Sequence, residues 1–216
     1  MPINHIAISP DDISECCSKS NADASQCFKE YFSRLSRLLN AQLDFNIPIF
    51  TIYLLPEGAE KNEHFAALCD FMSEFFEDLC NANGILRQKT KISVFGKWYN
   101  LPSRLIESLK KAIDETKENN SFFVNFCINY DGQEEIVDAC KLIAKQIELG
   151  KLDPEMVTKE TIKENIYSSY FLPPDAYLIY GDKRWDGLLL WDSVRSKIIF
   201  AGKPFIEFEE DDIKRL

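Results

Sequence analysis

The sequence predicts one α/β domain in which a mostly parallel central sheet is flanked by helices. Short β-branched or aromatic runs alternate with stretches of helical periodicity, which is the βαβα order typical of parallel sheets. The strand-like run 47–55 is almost entirely apolar, as in strands that are covered on both faces. The 216 residues, 45% of them hydrophobic, suffice for one substantial core. We therefore predict a single domain over residues 1–216.

The amino-terminal half supplies two strands and two helices. The β-branched run 3–9 ends at Ser-Pro-Asp-Asp, which predicts a strand followed by a turn. Apolar residues recur every three or four positions over 24–43, which predicts a helix with one buried face. The apolar run 47–55 predicts a buried strand. The helical periodicity returns over 64–81, rich in phenylalanine, and Asn-Gly at 83–84 ends that helix.

The carboxy-terminal half continues the alternation. One of its predicted helices begins with a proline in the first turn, and the other is closed by a glycine. No internal repeat or flexible linker interrupts the pattern. The predicted strands are 91–96, 121–129, 176–180 and 197–200, and the predicted helices are 101–120 and 133–150.

Charge and hydropathy exclude several classes of function. The formal charge of −10 and the pI of about 4.8 argue against a surface that neutralises phosphates, so we expect no nucleic-acid partner. No apolar run approaches the ~20 residues that cross a bilayer, and the start of the chain has no signal-peptide pattern. These features predict a cytoplasmic protein, and they leave peripheral contact with a membrane open.

The seven cysteines do not form the CxxC pairs of zinc sites. We predict reduced thiols. Four of them occupy apolar faces of predicted elements, where cysteine behaves as a small hydrophobe, and are expected in the core: Cys69, Cys80, Cys127 and Cys140.

Five stretches carry a recognisable order of motifs. They are HIAISPDD (5–12), SVFGKWYNLP (93–102), NFCINYDGQEEIVDAC (125–140), PPDAYLIYGDKRWDGLLLWD (173–192) and PFIEF (204–208). In order and spacing they resemble the motifs of the cis-prenyltransferases, the undecaprenyl diphosphate synthase-like family. The resemblance is good from about residue 85 to residue 208 and looser before that.

This resemblance implies a function and a fold. Members condense isopentenyl diphosphate onto an allylic diphosphate in cis, at the mouth of a hydrophobic tunnel that binds two diphosphates and Mg²⁺. They pair through a dimer interface. In eukaryotes and some archaea the enzyme is a heteromer of a catalytic subunit and a degenerate subunit resembling the Nogo-B receptor.

The resemblance also implies a small set of site residues. Asp11 stands at the family's essential aspartate, which makes it the candidate catalytic residue and the candidate Mg²⁺ ligand. Gly181, Asp182 and Arg184 keep the remainder of the loop that binds isopentenyl diphosphate. Without the resemblance, Asp11 would be interpreted as a turn or capping residue. Arg184, near Asp182 and Asp186, would be interpreted as an exposed ion-pair partner.

At most other positions that align with the family's diphosphate-binding residues, this sequence has side chains that do not bind a diphosphate. Glu15 replaces an arginine, and Ala24 and Phe28 align with a phosphate-binding arginine and histidine. Tyr180 stands where the family has Arg-Thr-Ser, and Lys197 aligns with a glutamate that binds magnesium. Because two diphosphates brought together need cations, these replacements predict a retained fold with lost chemistry, a pseudoenzyme.

The leading functional prediction is therefore an accessory, non-catalytic subunit of a heteromeric cis-prenyltransferase that makes a long-chain polyprenyl diphosphate, the precursor of a lipid glycan carrier. Its partners would be a catalytic subunit and isoprenyl diphosphates, with Mg²⁺ as cofactor of the complex. The alternatives are an active prenyltransferase with a rebuilt diphosphate site and an isoprenoid-binding interaction protein. The phenylalanines between Phe65 and Phe76 would line a tunnel or form ordinary core, and His5 is expected to be a polar residue near a strand edge.

Overall fold

A computed structural model of the chain describes residues 3–11, 13, 24–81, 89–181 and 184–216. These residues form a six-stranded sheet in the order β3-β4-β2-β1-β5-β6, and every neighbouring pair is parallel. The predicted α/β class is confirmed. The strands are β1 His5–Ser9, β2 Ile49–Pro56, β3 Thr90–Phe95, β4 Phe122–Tyr130, β5 Ala176–Ile179 and β6 Lys197–Phe200.

Helices cover both faces of the sheet, as the continuous apolar runs of its strands require. They are α1 Ala24–Asp44, α2 Phe65–Cys80, α3 Ser103–Thr116, α4 Gly132–Glu148, α5 Lys159–Asn165 and α6 Asp211–Lys214. The two short helices α5 and α6 were not predicted, because four to seven residues are too few for a helical period to stand out. Within the described residues, no helix combines the length and apolarity of a bilayer span.

The first face of the sheet carries the larger core. Helices α1, α2 and α3 pack on the strand side chains that point to this face, such as those of Ile52 and Phe126. The phenylalanine-rich side of α2 packs against aromatic rings of β4 and α1. The ring centroids of Phe76 and Phe126 are 5.0 Å apart, and those of Phe75 and Phe32 are 5.3 Å apart. These rings stabilise the core at the distances typical of aromatic pairs. In the described part of the chain, they pack as core.

The second face carries a smaller core around Ala7, Cys127 and Tyr177. Helix α4 lies on this side, and its first turn is capped by the Asp131 carboxylate, which accepts the N–H groups of Gln133 and Glu134 at 2.8 and 2.9 Å. This cap satisfies two amide groups that the helix cannot satisfy itself. Because α4 starts immediately after β4, the cap fixes the carboxyl end of that strand relative to the helix.

Three predictions about single residues are wrong. His5 is 1% exposed rather than near a strand edge. Cys140 is exposed rather than in the core, because the apolar side of α4 turns residues such as Ala139 and Ile143 inward instead. Cys27 is disulfide-bonded rather than reduced. Cys69, Cys80 and Cys127 form no disulfide within the described residues and are buried, as predicted.

Candidate active site

The connections of the sheet place a crevice between strands β1 and β5. The chain leaves β1 toward β2 and leaves β5 toward β6, on opposite sides of the β1–β5 pair. In parallel α/β sheets, ligands bind at the carboxyl ends of the two strands where the direction of winding reverses. Here those ends carry Ser9, the last residue of β1, and Asp11 after it, and Tyr180 and Gly181 after β5. The fold therefore brings together two stretches that the motifs singled out.

Gly181 and Asp11 are in close contact across this crevice. A Cβ atom added to Gly181 would lie 2.5 Å from the Asp11 Cβ, and Gly181 has a φ of +73°, which side chains rarely adopt. The Gly181 N–H donates to the Lys203 carbonyl at 3.0 Å. A glycine is therefore required here for the β5 loop to pass Asp11, which gives this motif residue a structural reason.

The Asp11 carboxylate is engaged by the carboxy-terminal part of the chain. Its Oδ1 accepts the backbone N–H of Phe205 at 2.9 Å. Phe205 is fully buried, with its ring centroid 5.1 Å from that of Tyr31 and 5.2 Å from that of Tyr180. This aromatic packing holds the segment 203–208 against the carboxyl end of β1.

Tyr180 and Lys203 share one carboxylate beside this segment. The Tyr180 hydroxyl donates to Asp212 Oδ2 at 3.1 Å, and the Lys203 ammonium lies 2.8 Å from the same oxygen. Burial, together with the nearby Asp212 charge, raises the pKa of Tyr180. The phenol therefore stays neutral, and the charge of Lys203 is offset by a carboxylate of the same chain.

A second carboxylate, Asp186, belongs to the same crevice and was missed as a site residue. The Ser9 hydroxyl donates to Asp186 Oδ2, and the Leu188 N–H donates to Oδ1 at 3.4 Å. The residue as a whole is exposed, but its carboxyl group turns inward onto Ser9. Burial of that group raises its pKa, against the lowering effect of these two donors. No local pattern indicates this pair, since 177 residues separate the partners.

The loop that carries Asp186 and Arg184 is fixed by the motif after β4. Gly132 lies so close to it that an added Cβ would be 2.0 Å from the Gly187 carbonyl oxygen. The buried Tyr130 hydroxyl accepts the Leu189 N–H at 3.1 Å and donates to Glu135 at 2.7 Å. The Asn-Tyr-Asp-Gly motif at 129–132 therefore anchors the loop. Arg184 is exposed in it, and Asp182, also predicted as a site residue, lies outside the described residues.

Of the other aligned positions, Glu15 lies outside the described residues, and three are placed by the structure without a phosphate-binding role. Phe28 is fully buried, and its ring centroid is 5.6 Å from that of Phe71. Ala24 is the first residue of α1 and has no polar side chain. Lys197 is the first residue of β6 and its Nζ donates to the Leu216 carbonyl at 3.4 Å. In a parallel sheet this places Lys197 at the amino ends of the strands, the end opposite to Asp11.

The side chains of the crevice do not by themselves make a magnesium site. Among the described residues, no group of three or more His, Cys, Asp or Glu side chains is placed to hold a metal ion. Magnesium commonly takes one or two carboxylates and completes its octahedron with water and substrate phosphates. Asp11 would be such a carboxylate, but one of its oxygens already accepts the Phe205 N–H. Any ion here would depend on water and phosphate oxygens for most of its coordination.

Comparison with known proteins identifies relatives over most of the chain. A family model described as putative undecaprenyl diphosphate synthase matches residues 17–216. The tritrans,polycis-undecaprenyl-diphosphate synthase (geranylgeranyl-diphosphate specific) of Methanopyrus kandleri is 32% identical over 187 residues, which cover 84% of this chain and 68% of that protein. An isoprenyl transferase of Shouchella clausii is 25% identical over 209 residues, 95% of this chain and 80% of that protein.

Solved structures show the same fold. The lavandulyl diphosphate synthase of Lavandula x intermedia, solved in complex with dimethylallyl diphosphate, superposes with a TM-score of 0.85 at 20% identity. That match covers 99% of this chain and 93% of the other. A probable undecaprenyl diphosphate synthase from Campylobacter jejuni gives 0.77 at 18% identity, over 99% and 92% of the two chains.

Proposed function

The chain belongs to the undecaprenyl diphosphate synthase-like family of cis-prenyltransferases, and we propose that it serves as the non-catalytic subunit of a heteromeric enzyme. The complex would condense isopentenyl diphosphate with an allylic diphosphate into a long-chain polyprenyl diphosphate. Its catalytic partner would bind Mg²⁺ and both diphosphates. The complex would work in the cytoplasm or at the membrane surface, where its product is used.

The charge of the crevice supports this proposal. Two diphosphates held side by side need several cations, because their mutual repulsion has to be offset before the carbon–carbon bond can form. Among the described residues, the crevice instead offers the carboxylates of Asp11 and Asp186, with Arg184 as the one cation of the motif loop, and Lys203 beside it is already paired with Asp212. Carboxylates repel diphosphates unless a metal ion lies between them.

The observation that carries the proposal is the contact between Asp11 and the Phe205 N–H. It occupies one oxygen of the family's essential aspartate with the chain's own backbone. The segment that makes the contact is held by buried aromatic rings, so the contact is part of the packed fold. Phe28 adds to this, since a fully buried phenyl ring cannot do the work of a phosphate-binding imidazole.

An exposed sheet edge supports the presence of a protein partner. Strand β6 is at the edge of the sheet, and Ile198 and Phe200 on it are 40% and 39% exposed, with Val194 nearby at 86%. Apolar side chains on an open strand edge favour association with another chain. We assign this edge to the interface with the catalytic subunit.

The test compares the chain alone with the reconstituted complex. The purified chain should not incorporate radiolabelled isopentenyl diphosphate into farnesyl or geranylgeranyl diphosphate in the presence of Mg²⁺. The same chain, co-expressed with a homologue from its own genome that retains the phosphate-binding arginines, should copurify with it and raise its rate of incorporation. Elongation at an ordinary rate by the chain alone would contradict the proposal.

A second candidate is an active prenyltransferase with a rebuilt diphosphate site. It is favoured by the gathering of Asp11, Gly181 and Arg184 at one crevice and by the synthase names of the relatives. Replacing Asp11 by Ala in the reconstituted complex separates the two functions. The accessory role predicts less than a twofold change in rate, whereas direct use of Asp11 predicts a loss of about 100-fold. Asp114→Ala, at an exposed position of α3, is the matched control.

A further inference from the structure

A groove at the opposite edge of the sheet has no role in the proposed function. It has a volume of about 750 Å³ and lies on the second face, where its lining includes residues of β3, Phe123 of β4, Ile49 at the start of β2, and the segment 167–172. In the described part of the chain, none of the residues that line it belongs to β1 or β5. Aromatic rings dominate its walls: Phe95, Trp98, Phe123, Tyr167, Tyr170 and Phe171.

This groove has the size and lining of a site for a small ligand. Ligand pockets in proteins commonly measure ~300–1,000 Å³ and combine apolar walls with a few polar groups. Two residues at the rim leave large apolar surfaces in water, since Tyr170 is 96% exposed and Leu172 is 68% exposed. Clustered exposure of this kind marks an interaction surface.

The polar component of the lining is a cation. Lys91 on β3 lines the groove together with Ser93, two positions further along the same face of the strand. In the part of the chain that the structure describes, no carboxylate lies within the 4.0 Å of an ion pair from the Lys91 ammonium. An unpaired, half-buried cation is notable in a chain of net charge −10. It favours a ligand with one negative charge.

The groove is preformed, because its outer wall is tied to the rest of the fold. The Leu172 carbonyl accepts a hydrogen bond from the buried His5 ring at 2.6 Å. The Tyr167 N–H donates to Glu135 at 3.0 Å, and the Tyr167 hydroxyl donates to Asp138 at 2.6 Å. Phe171 packs inward, with ring centroids 5.6 Å from Phe123 and 6.1 Å from Phe95. These contacts fix the position of the segment 167–172, in which Tyr170 remains exposed to solvent.

We propose that this groove binds a small amphipathic anion, with its apolar body against the aromatic walls and its single acidic head at Lys91. The shape argues for a small molecule, since a concave site of this volume surrounds a ligand rather than matching a flat protein surface. The lone cation selects a carboxylate or sulfonate head over a neutral or cationic head. The proposal does not depend on the accessory role proposed above.

Fluorescence titration with 1-anilinonaphthalene-8-sulfonate, an apolar aromatic probe with one acidic head, tests the site. The folded chain should bind one probe molecule per chain. Decanoate should displace the probe, and decyltrimethylammonium, with the opposite charge, should not. Lys91→Glu should weaken decanoate binding about tenfold or more and should make decyltrimethylammonium the better competitor. Lys110→Glu, the same change at an exposed position of α3, should leave the order of the competitors unchanged.

Three results would overturn the assignment. Equal competition by the two amphiphiles in the unaltered chain would mean that Lys91 selects nothing. Identical behaviour of the Lys91 and Lys110 variants would place the probe elsewhere, and a stoichiometry of one probe per two chains would indicate an interface between copies. If Lys91→Glu fails to give the circular dichroism of the folded chain, Lys91→Gln replaces it. That variant should lose the preference for decanoate without reversing it.

Discussion

A buried histidine connects strand β1 to the segment 167–172, which forms the wall of the groove at Lys91. Its protonation should lower the stability of the fold. His5 Nδ1 lies 2.6 Å from the Leu172 carbonyl, and Nε2 lies 2.8 Å from the Thr51 hydroxyl. Because a carbonyl can only accept, Nδ1 carries the ring proton, and Nε2 accepts from Thr51. The Thr51 oxygen in turn accepts from Asn125 at 3.1 Å. This chain of hydrogen bonds needs the neutral imidazole.

The pKa of His5 determines how much stability the fold loses on acidification. Burial lowers it from 6.5 to about 4, against the opposing effects of the Leu172 carbonyl and nearby carboxylates. Between these two pH values the unfolded chain binds a proton that the native chain does not, so the free energy of unfolding falls as the pH falls. At ~1.36 kcal/mol for each pH unit, the loss starts near pH 6.5, is about 2 kcal/mol at pH 5, and reaches about 3 kcal/mol near pH 4.

Urea unfolding, followed by tryptophan fluorescence at pH 7 and pH 5, measures this loss. His5→Gln should be less stable than the unaltered chain at pH 7, because it gives up buried hydrogen bonds, but its stability should fall by about 2 kcal/mol less between the two pH values. The titrating carboxylates contribute equally to both proteins and cancel in the difference. His64→Gln, at the partly exposed second histidine, is the control. If His5→Gln loses as much stability on acidification as the unaltered chain, His5 is not the group responsible.

Two further substitutions test how the crevice is built. Gly181→Ala should lower the free energy of unfolding in urea by about 2–4 kcal/mol, because it adds a clash with Asp11 to an unfavourable φ. The control is Gly202→Ala, at a position with a φ of +71° and open space around it. It should lower the same free energy by about 1 kcal/mol. Equal losses would show that Asp11 moves away freely. Tyr130→Phe should cost about 2–3 kcal/mol, because it leaves the buried Glu135 carboxylate without its hydroxyl donor at 2.7 Å. A loss below 0.5 kcal/mol would mean that water replaces the hydroxyl.

Local pattern predicts this fold well because the sheet is buried on both faces. The run 47–55 is apolar except for Thr51 and the phenol of Tyr53, and it becomes strand β2, Ile49–Pro56, at the centre of the sheet. The helical period over 24–43 becomes α1, Ala24–Asp44, with its apolar side on the core. Prediction failed where the signal is short, as in α5. It also failed where burial depends on partners distant in sequence, as for His5, which bonds to residues 46 and 167 positions away.

The candidate site was less predictable than the fold, because its contacts join the two ends of the chain. Asp11 and Gly181 could be proposed from their motifs, and the structure places them in contact. The hydrogen bond from Phe205 to Asp11 spans 194 positions, and that from Ser9 to Asp186 spans 177. No periodicity or local spacing encodes such pairs. They follow from the order of the strands.

The replacement at Tyr180 and the engagement of Asp11 are two aspects of one packing arrangement. Tyr180 stands where the resemblance places Arg-Thr-Ser, and it is 2% exposed, with its hydroxyl on Asp212. Its ring packs edge-on against Phe205 at 5.2 Å, and this contact holds the Phe205 N–H on Asp11. An arginine at position 180 would bring a buried charge among these rings and would compete with Lys203 for the Asp212 carboxylate. The side chain at the position where the resemblance places Arg-Thr-Ser therefore also positions the backbone N–H that bonds to Asp11, which is why the two features belong to one core.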